Sequence, residues 1–131
     1  MNINIYLSFD GNCEEALKFY ETVLGAQTSF MMRYKDAPME SSSEWGEKVA
    51  HASFTIGTTT LMASDVSPDQ YNKSAGYHVH IGADDPAKAE QVFNALAEDG
   101  IVKMPIQKTF WARAFGMLTD RFGIPWMVNC E

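Results

Sequence analysis

Cysteine, basic residues and long apolar runs are all scarce in this chain, and each scarcity excludes a class of protein. Two cysteines among 131 residues are too few for a disulfide framework, so we expect reduced thiols and a cytoplasmic location. Ten basic residues against seventeen acidic ones give a net charge of −7, and the basic residues are scattered. Nucleic acids and anionic membranes attract clustered Lys and Arg, so we expect neither as a partner.

Several familiar sequence signals are also missing. No apolar run approaches the roughly 20 residues that span a bilayer. The first nine residues alternate apolar and polar instead of forming a basic region and an apolar run, so we expect no signal peptide. The chain has no nucleophile elbow, phosphate-binding loop or Cys-x-x-Cys motif. It also lacks the glycine-rich first turn that a doubly wound methyltransferase domain needs.

A capped amphipathic helix occurs twice in the chain. The first copy begins at Asn12, which we expect to cap the helix, with Glu15 completing a capping box. Adding 73 to each number of the first apolar stripe gives a second stripe, which follows Asp85 and Pro86. The first stripe is Ala16, Phe19, Tyr20, Val23 and Leu24, and the second is Ala89, Val92, Phe93, Leu96 and Ala97. The repeat predicts a duplicated module.

Alternation and turn residues predict a β-α-β-β-β order in each copy. The predicted strands are 3–9, 28–34, 49–56 and 60–64 in the first copy, and 77–83, 101–107, 110–118 and 125–130 in the second. Residues 35–48 are predicted to form an exposed loop. We expect one α+β domain over 1–131, with a first module at 1–65, a linker at 66–75 and a second module at 76–131. Neither module closes its own sheet edges, so we expect the two to pair, with curved mixed sheets enclosing a cleft.

The polar faces of the strands are the candidate binding surface. The helices must cover the apolar faces, and the remaining faces carry all three histidines of the chain. The predicted ligand-binding residues are Tyr6, His51, Ser64, His78, His80 and Asn129, with Phe110 and Trp111 as an aromatic wall. A solvated sheet face is the alternative interpretation of the same pattern. For the histidines, ligand hydrogen bonding, acid–base chemistry and metal binding all remain open.

Two residues outside the candidate binding surface also stand at positions of possible chemical interest. Cys13 stands at the start of the first helix, where a thiol pKa tends to fall, although a cysteine in such a first turn is more often an unreactive packed residue. Asp65 ends the first hairpin, where we interpret it as a residue that caps a turn.

Several phrases resemble the glyoxalase/bleomycin-resistance, or vicinal oxygen chelate, superfamily. They are residues 19–26 and 119–126, and, for its PhnB-like branch (also labelled demethylubiquinone methyltransferase-like), residues 6–12, 51–52, 62–65 and 109–112. The resemblance covers nearly the whole chain. It implies two βαβββ modules in a pseudo-twofold arrangement and, in many members, a homodimer.

The resemblance also implies a metal centre in the catalytic members, with ligands from the opening and closing strands of the modules. The matching positions here are Tyr6 and His78 on opening strands and Met62 and Met127 on closing strands. A thioether is a poor donor for Zn²⁺, Fe²⁺ or Mn²⁺, so we expect no metal cofactor.

Three functions therefore remain open. The first is a protein that binds a small molecule without the superfamily metal centre. The second is an enzyme, of lyase, isomerase or dioxygenase type, with an unusual site built on histidines. The third is a dimeric interaction module. No catalytic residue is assigned.

Overall fold

The computed structural model describes residues 1–38 and 44–131. Residues 39–43, part of the loop predicted at 35–48, lie outside the described residues. The chain divides into two compact units, Met1–Asn72 and Lys73–Glu131, and the division falls inside the segment predicted as the linker.

The first unit has one helix and one four-stranded mixed sheet. Its elements are β1 (Ile5–Phe9), α1 (Cys13–Leu24), β2 (Gln27–Arg33), β3 (Val49–Ile56) and β4 (Thr59–Asp65). Single 3₁₀ turns at Tyr34–Asp36 and Trp45–Glu47 lie between β2 and β3. The strand order is β1-β4-β3-β2, in which β1 runs parallel to β4 and the other pairs are antiparallel.

The second unit repeats this arrangement. Its elements are β5 (Val79–Gly82), α2 (Pro86–Ala97), β6 (Ile101–Gln107), β7 (Ala114–Thr119) and β8 (Pro125–Cys130). The strand order is β5-β8-β7-β6, again with one parallel pair, β5 with β8. The predicted α+β class and the two βαβββ modules are therefore confirmed.

Each helix buries its apolar stripe against one face of its own sheet. In the first unit, Ala16 and Tyr20 of α1 are fully buried, and the Tyr20 ring stacks on Phe54 of β3 with 6.2 Å between centroids. In the second unit, Ala89 and Leu96 of α2 are fully buried. Gly116 of β7 lets this helix approach, because a Cβ there would meet the Phe93 ring at 2.6 Å.

Some predicted boundaries were wrong at strand ends. His78 precedes β5, and Phe110 and Trp111 lie in the loop before β7. Ile3 and Ile5, expected on the covered face of β1, are 87% and 42% exposed. Alternation continues past the last ladder hydrogen bond, so it does not mark where pairing ends.

The helix caps differ between the copies. Asp85 caps α2 as predicted, and its carboxylate accepts a hydrogen bond from the Lys88 N–H at 2.8 Å. Asn12 makes no side-chain cap bond to α1, so that prediction was wrong. Asp65 takes the role instead: its Oδ1 accepts the Cys13 N–H at 2.9 Å and its Oδ2 accepts the Val49 N–H at 2.9 Å. It is therefore not the turn cap that we predicted.

Candidate functional site

In the first unit, the non-helical face of the sheet brings two predicted residues together. Tyr6 Oη lies 3.0 Å from His51 Nδ1, which is hydrogen-bond distance. Phe30 of β2 packs against the same imidazole with 6.0 Å between ring centroids. Tyr6 is 46% exposed, so the pair is accessible from the surface of this unit.

The register explains why these residues meet. Tyr6 of β1 pairs with Met62 of β4, and Met62 pairs with Ser53 of β3. His51 lies two residues before Ser53, so it is on the same face of β3. Ser64 shares this face through its pairing with Ser8, but it is buried to 7% exposure.

In the second unit, two other predicted residues line one cavity. It has a volume of about 400 Å³ and is lined by His80, Gly82, Ala83, Asp84, Arg113, Asn129 and Glu131. Gly82 pairs with Asn129 across the parallel ladder, which places the end of β5 beside the end of β8. Gly82 has no side chain to fill this space: a Cβ there would approach only the His80 ring, at 4.0 Å.

Asn129 supplies the distinctive feature of this cavity. Its side-chain oxygen Oδ1 is buried, yet it accepts no hydrogen bond from any described residue. A buried carbonyl oxygen without a donor costs roughly 1–3 kcal/mol, and such groups in proteins are usually satisfied by water or by a ligand. The cavity is therefore lined by a residue whose hydrogen-bond acceptor still lacks an N–H or O–H donor among the described residues.

Arg113 holds the rim of the cavity in place. Its Nε donates to the Glu131 carbonyl oxygen at 2.6 Å, and its Nη2 donates to the Asp84 carbonyl oxygen at 3.1 Å. Both of these donors are therefore engaged by backbone oxygens. Arg113 is thus a structural element of the rim.

The predicted aromatic wall lies next to this cavity. Phe110 and Trp111 form an edge-to-face pair with 4.7 Å between centroids, and Trp111 makes a similar contact with Phe115 at 5.3 Å. Phe110 and Trp111 line a second cavity of about 250 Å³. This cavity shares Arg113 and Glu131 with the first one. His78 is exposed and lines neither.

The register also corrects one predicted correspondence between the modules. Tyr6 pairs with Met62, and the residue that pairs with Met127 is His80. His80, and not His78, therefore takes the place of Tyr6 in the second unit.

These positions do not fit the superfamily metal centre. The corrected set, Tyr6, Met62, His80 and Met127, holds a single imidazole and no carboxylate, and thioethers are poor donors for Zn²⁺, Fe²⁺ or Mn²⁺. Within residues 1–38 and 44–131, no group of three or more His, Cys, Asp or Glu side chains is placed to hold a metal ion.

Sequence reasoning missed a third cavity, of about 250 Å³, at the start of α1. Arg33 there makes two hydrogen bonds to the Glu14 carboxylate, at 2.8 and 3.1 Å, and the bond from Arg33 holds the pKa of Glu14 below its usual range. Lys48 Nζ donates to the Gly11 carbonyl oxygen at 2.7 Å. The residues that line this cavity come from distant parts of the chain, so no local sequence motif predicts it.

Cys13 borders this region but is not a reactive thiol. It is fully buried, and burial raises its pKa, with the neighbouring Asp65 and Glu14 carboxylates adding to the effect. A raised pKa keeps the thiol protonated and unreactive. Burial and the two carboxylates therefore outweigh the tendency of the helix N-terminus to lower the pKa of Cys13.

None of the helices among the described residues is long and apolar enough to cross a membrane.

Comparison with known proteins agrees with this architecture. The family model of the Glyoxalase/Bleomycin resistance protein/Dioxygenase superfamily matches residues 2–128. Protein YjdN of Escherichia coli (strain K12) is 32% identical over 98% of this chain and 95% of its own length.

Two solved structures are also similar over their whole length. Protein PA1353 from Pseudomonas aeruginosa is 45% identical, with a TM-score of 0.91 over 100% of this chain and 98% of that one. A PhnB protein from Bacillus cereus, described as a putative 3-demethylubiquinone-9 3-methyltransferase, is 25% identical, with a TM-score of 0.86 over 100% of both chains. The predicted PhnB-like resemblance is confirmed.

Proposed function

Because this chain belongs to the glyoxalase/bleomycin resistance protein/dioxygenase superfamily, we propose that it binds a small molecule, without the superfamily metal centre, in the cavity of its second unit. The observation that carries the proposal is that Asn129 lines a cavity of about 400 Å³ together with His80, while its buried oxygen Oδ1 accepts no hydrogen bond from any described residue. This volume suits a small ligand, since ligand pockets are typically about 300–1,000 Å³.

The lining defines what the ligand must offer. Asn129 Oδ1 requires a donor, and His80 is an exposed second polar group on the neighbouring strand. The adjoining Phe110–Trp111 pair offers an aromatic surface, on which a flat or apolar portion can pack. A compact molecule with an N–H or O–H donor next to a ring meets all three requirements.

The methyltransferase name of the Bacillus cereus protein is not carried over to this chain. A doubly wound methyltransferase domain is built on a mostly parallel sheet with a glycine-rich first turn. Each sheet here contains one parallel pair among its four described strands.

A thermal-shift experiment with three matched fragments tests the proposal. Benzamide and benzylamine carry N–H donors on a ring, whereas benzoate has the same size and only acceptors. We expect the first two to raise the melting temperature and benzoate to have no effect. A fragment at ten times its Kd adds about 1.4 kcal/mol to the free energy of unfolding.

The variants locate the site. Asn129→Leu and His80→Ala should abolish the shift, whereas the control His51→Ala, in the first unit, should retain it. Equal stabilisation by benzoate, or a shift that persists in Asn129→Leu, would contradict the proposal.

A second candidate function is favoured by one observation, the hydrogen bond between Tyr6 and His51. A phenol and an imidazole at 3.0 Å can pass a proton, which is the basis of general acid–base catalysis. We infer that this pair would serve as a catalytic dyad for a different compound, bound on the same face of the first unit's own sheet. NMR would show turnover of such a compound, and Tyr6→Phe should stop the turnover while leaving ligand binding at Asn129 in the second unit intact.

A further inference from the structure

Three methionines and one histidine form a single row across the second sheet. Met104 of β6 pairs with Met117 of β7, between register shifts on either side of Met104, and Met117 pairs with Met127 of β8. Met127 in turn pairs with His80 of β5. Directly paired residues on neighbouring strands project from the same face of a sheet, so the four side chains share one face.

This face is the one turned away from α2. The adjacent Gly116 marks the helix side, because a Cβ there would meet the Phe93 ring. Successive residues of a strand point to opposite faces, so Met117 projects from the other side. The three methionines are half-buried and His80 is exposed, so the row is partly shielded and still accessible within this unit.

The spacing allows the sulfur atoms to converge. Neighbouring strands lie about 4.8 Å apart, so the Cα atoms of Met104 and Met127 flank that of Met117 at roughly 5 Å on each side. A methionine side chain has three rotatable bonds and adapts its thioether position readily. The three sulfurs can therefore meet above the middle strand.

We propose that this row is a Cu(I) site, with the thioethers of Met104, Met117 and Met127 as its ligands. Soft thioether donors select Cu(I), the same property that makes them poor ligands for Zn²⁺ and Mn²⁺. The net charge of −7 further favours a cation. The site goes beyond the proposed small-molecule function, because none of its three methionines lines the cavity at Asn129.

The first unit provides an internal contrast. Its corresponding row is Phe30, Ser53, Met62 and Tyr6, which contains a single thioether. The same fold therefore carries a soft donor set in one unit only.

Anaerobic titration with Cu(I), in competition with the chelator bicinchoninate, tests the site. We expect one tightly held Cu(I) per chain and no retention of Zn²⁺ in a matching zinc competition. Met117→Leu and Met127→Leu, which conserve volume, should each weaken Cu(I) binding by roughly tenfold or more, since even outer-shell partners of a metal are worth 10–100-fold in affinity. Met62→Leu, in the first unit, is the matched control and should leave binding unchanged.

The two buried thiols require their own control, because cysteine also binds Cu(I). The Cys13→Ala, Cys130→Ala double variant should retain the ion, and X-ray absorption of this variant should show a sulfur shell around copper. A shell of nitrogen and oxygen alone would overturn the proposal. So would loss of all copper to the chelator, or binding that survives replacement of both Met117 and Met127. The Met variants leave Asn129 intact, so failure here is distinguishable from failure of the small-molecule proposal.

Discussion

At the scale of single residues, Asp65 does more for the first unit than its position at a hairpin end suggests. Its carboxylate is 1% exposed and accepts the backbone N–H groups at the start of α1 and at the start of β3. These two groups are 52 and 16 residues away along the chain, so one side chain joins three elements. Asp120 plays a local version of this role in the second unit, accepting from Phe122, Ile124 and the Trp126 indole.

We predict that Asp65→Asn destabilises the protein by about 2–3 kcal/mol. The amide keeps one acceptor but points an N–H₂ group at a backbone donor, which leaves that buried N–H unsatisfied. Urea unfolding followed by tryptophan fluorescence measures the change. The control is Asp69→Asn, at an exposed position four residues on, which should change the free energy of unfolding by less than about 0.5 kcal/mol. Equal effects of the two substitutions would show that the Asp65 bonds are not stabilising.

Only some parts of the candidate site can be predicted from the alternation of residues along single strands. Alternation correctly placed Tyr6 and His51 on one face, because both lie inside regular strands. It could not show that Asp65 replaces Asn12 as the acceptor for the N–H at the start of α1, since that bond depends on folding of the whole unit. It also exchanged His80 for His78, because the correspondence depends on the register between β5 and β8 and not on β5 alone.

At the scale of elements, the ion pair between α1 and β2 makes the stability of the first unit depend on pH. The hydrogen bond from Arg33 lowers the pKa of Glu14 in the folded state, and burial partly opposes this effect. Because the pKa of Glu14 is lower in the folded protein, the ion pair stabilises the fold at any pH above the pKa of Glu14 in the unfolded chain, about 4.3. This stabilisation is lost as the pH falls through the pKa of Glu14 in the folded protein.

We predict that Glu14→Gln lowers the free energy of unfolding at neutral pH by less than about 1 kcal/mol, because both side chains of the pair are partly exposed. The difference from the unsubstituted protein should shrink as the pH falls below about 4 and should also shrink in high salt. Urea unfolding across this pH range checks it, with exposed Glu15→Gln from the same turn as control. A difference that stays constant with pH would contradict the ion-pair account.

The elements themselves were predictable because each carries a strong local signal. The periodic apolar stripes were enough to predict both helices, and the glycine after α1 indicated where that helix ends. The bounds predicted for β3 are the observed ones. Strand ends were less predictable where polar and apolar residues continue to alternate outside the ladder, as at Ile3 and Tyr77. The loop before β7 was assigned to a strand because Phe110 and Trp111 favour strands, although a Thr109–Ala112 turn holds them outside it.

At the scale of the whole molecule, exposed apolar residues indicate a further surface to be covered. Ile101 and Val102 lie on β6, an edge strand of the second sheet, and are 58% and 47% exposed. Phe110 is 96% exposed. Open sheet edges and exposed aromatic side chains favour association with another chain.

We predict a homodimer in solution, formed in part by this edge. Light scattering coupled to gel filtration at micromolar concentration should give twice the 14.6 kDa mass of the chain. The double substitution Ile101→Lys, Val102→Lys should yield a monomer, because lysine on an edge strand blocks pairing. A monomer before substitution would contradict the prediction, and a dimer after it would move the interface elsewhere.

Above all, we propose that a donor-bearing small molecule occupies the cavity at Asn129 and His80. The most direct test is a titration of the ¹⁵N-labelled protein with benzamide, followed by amide correlation spectra. We predict that the side-chain amide of Asn129 and the backbone amides of Gly82 and Ala83 shift first and in a saturable manner, while Tyr6 and His51 stay in place. Shifts confined to other residues, or no saturable shift at Asn129, would contradict the account.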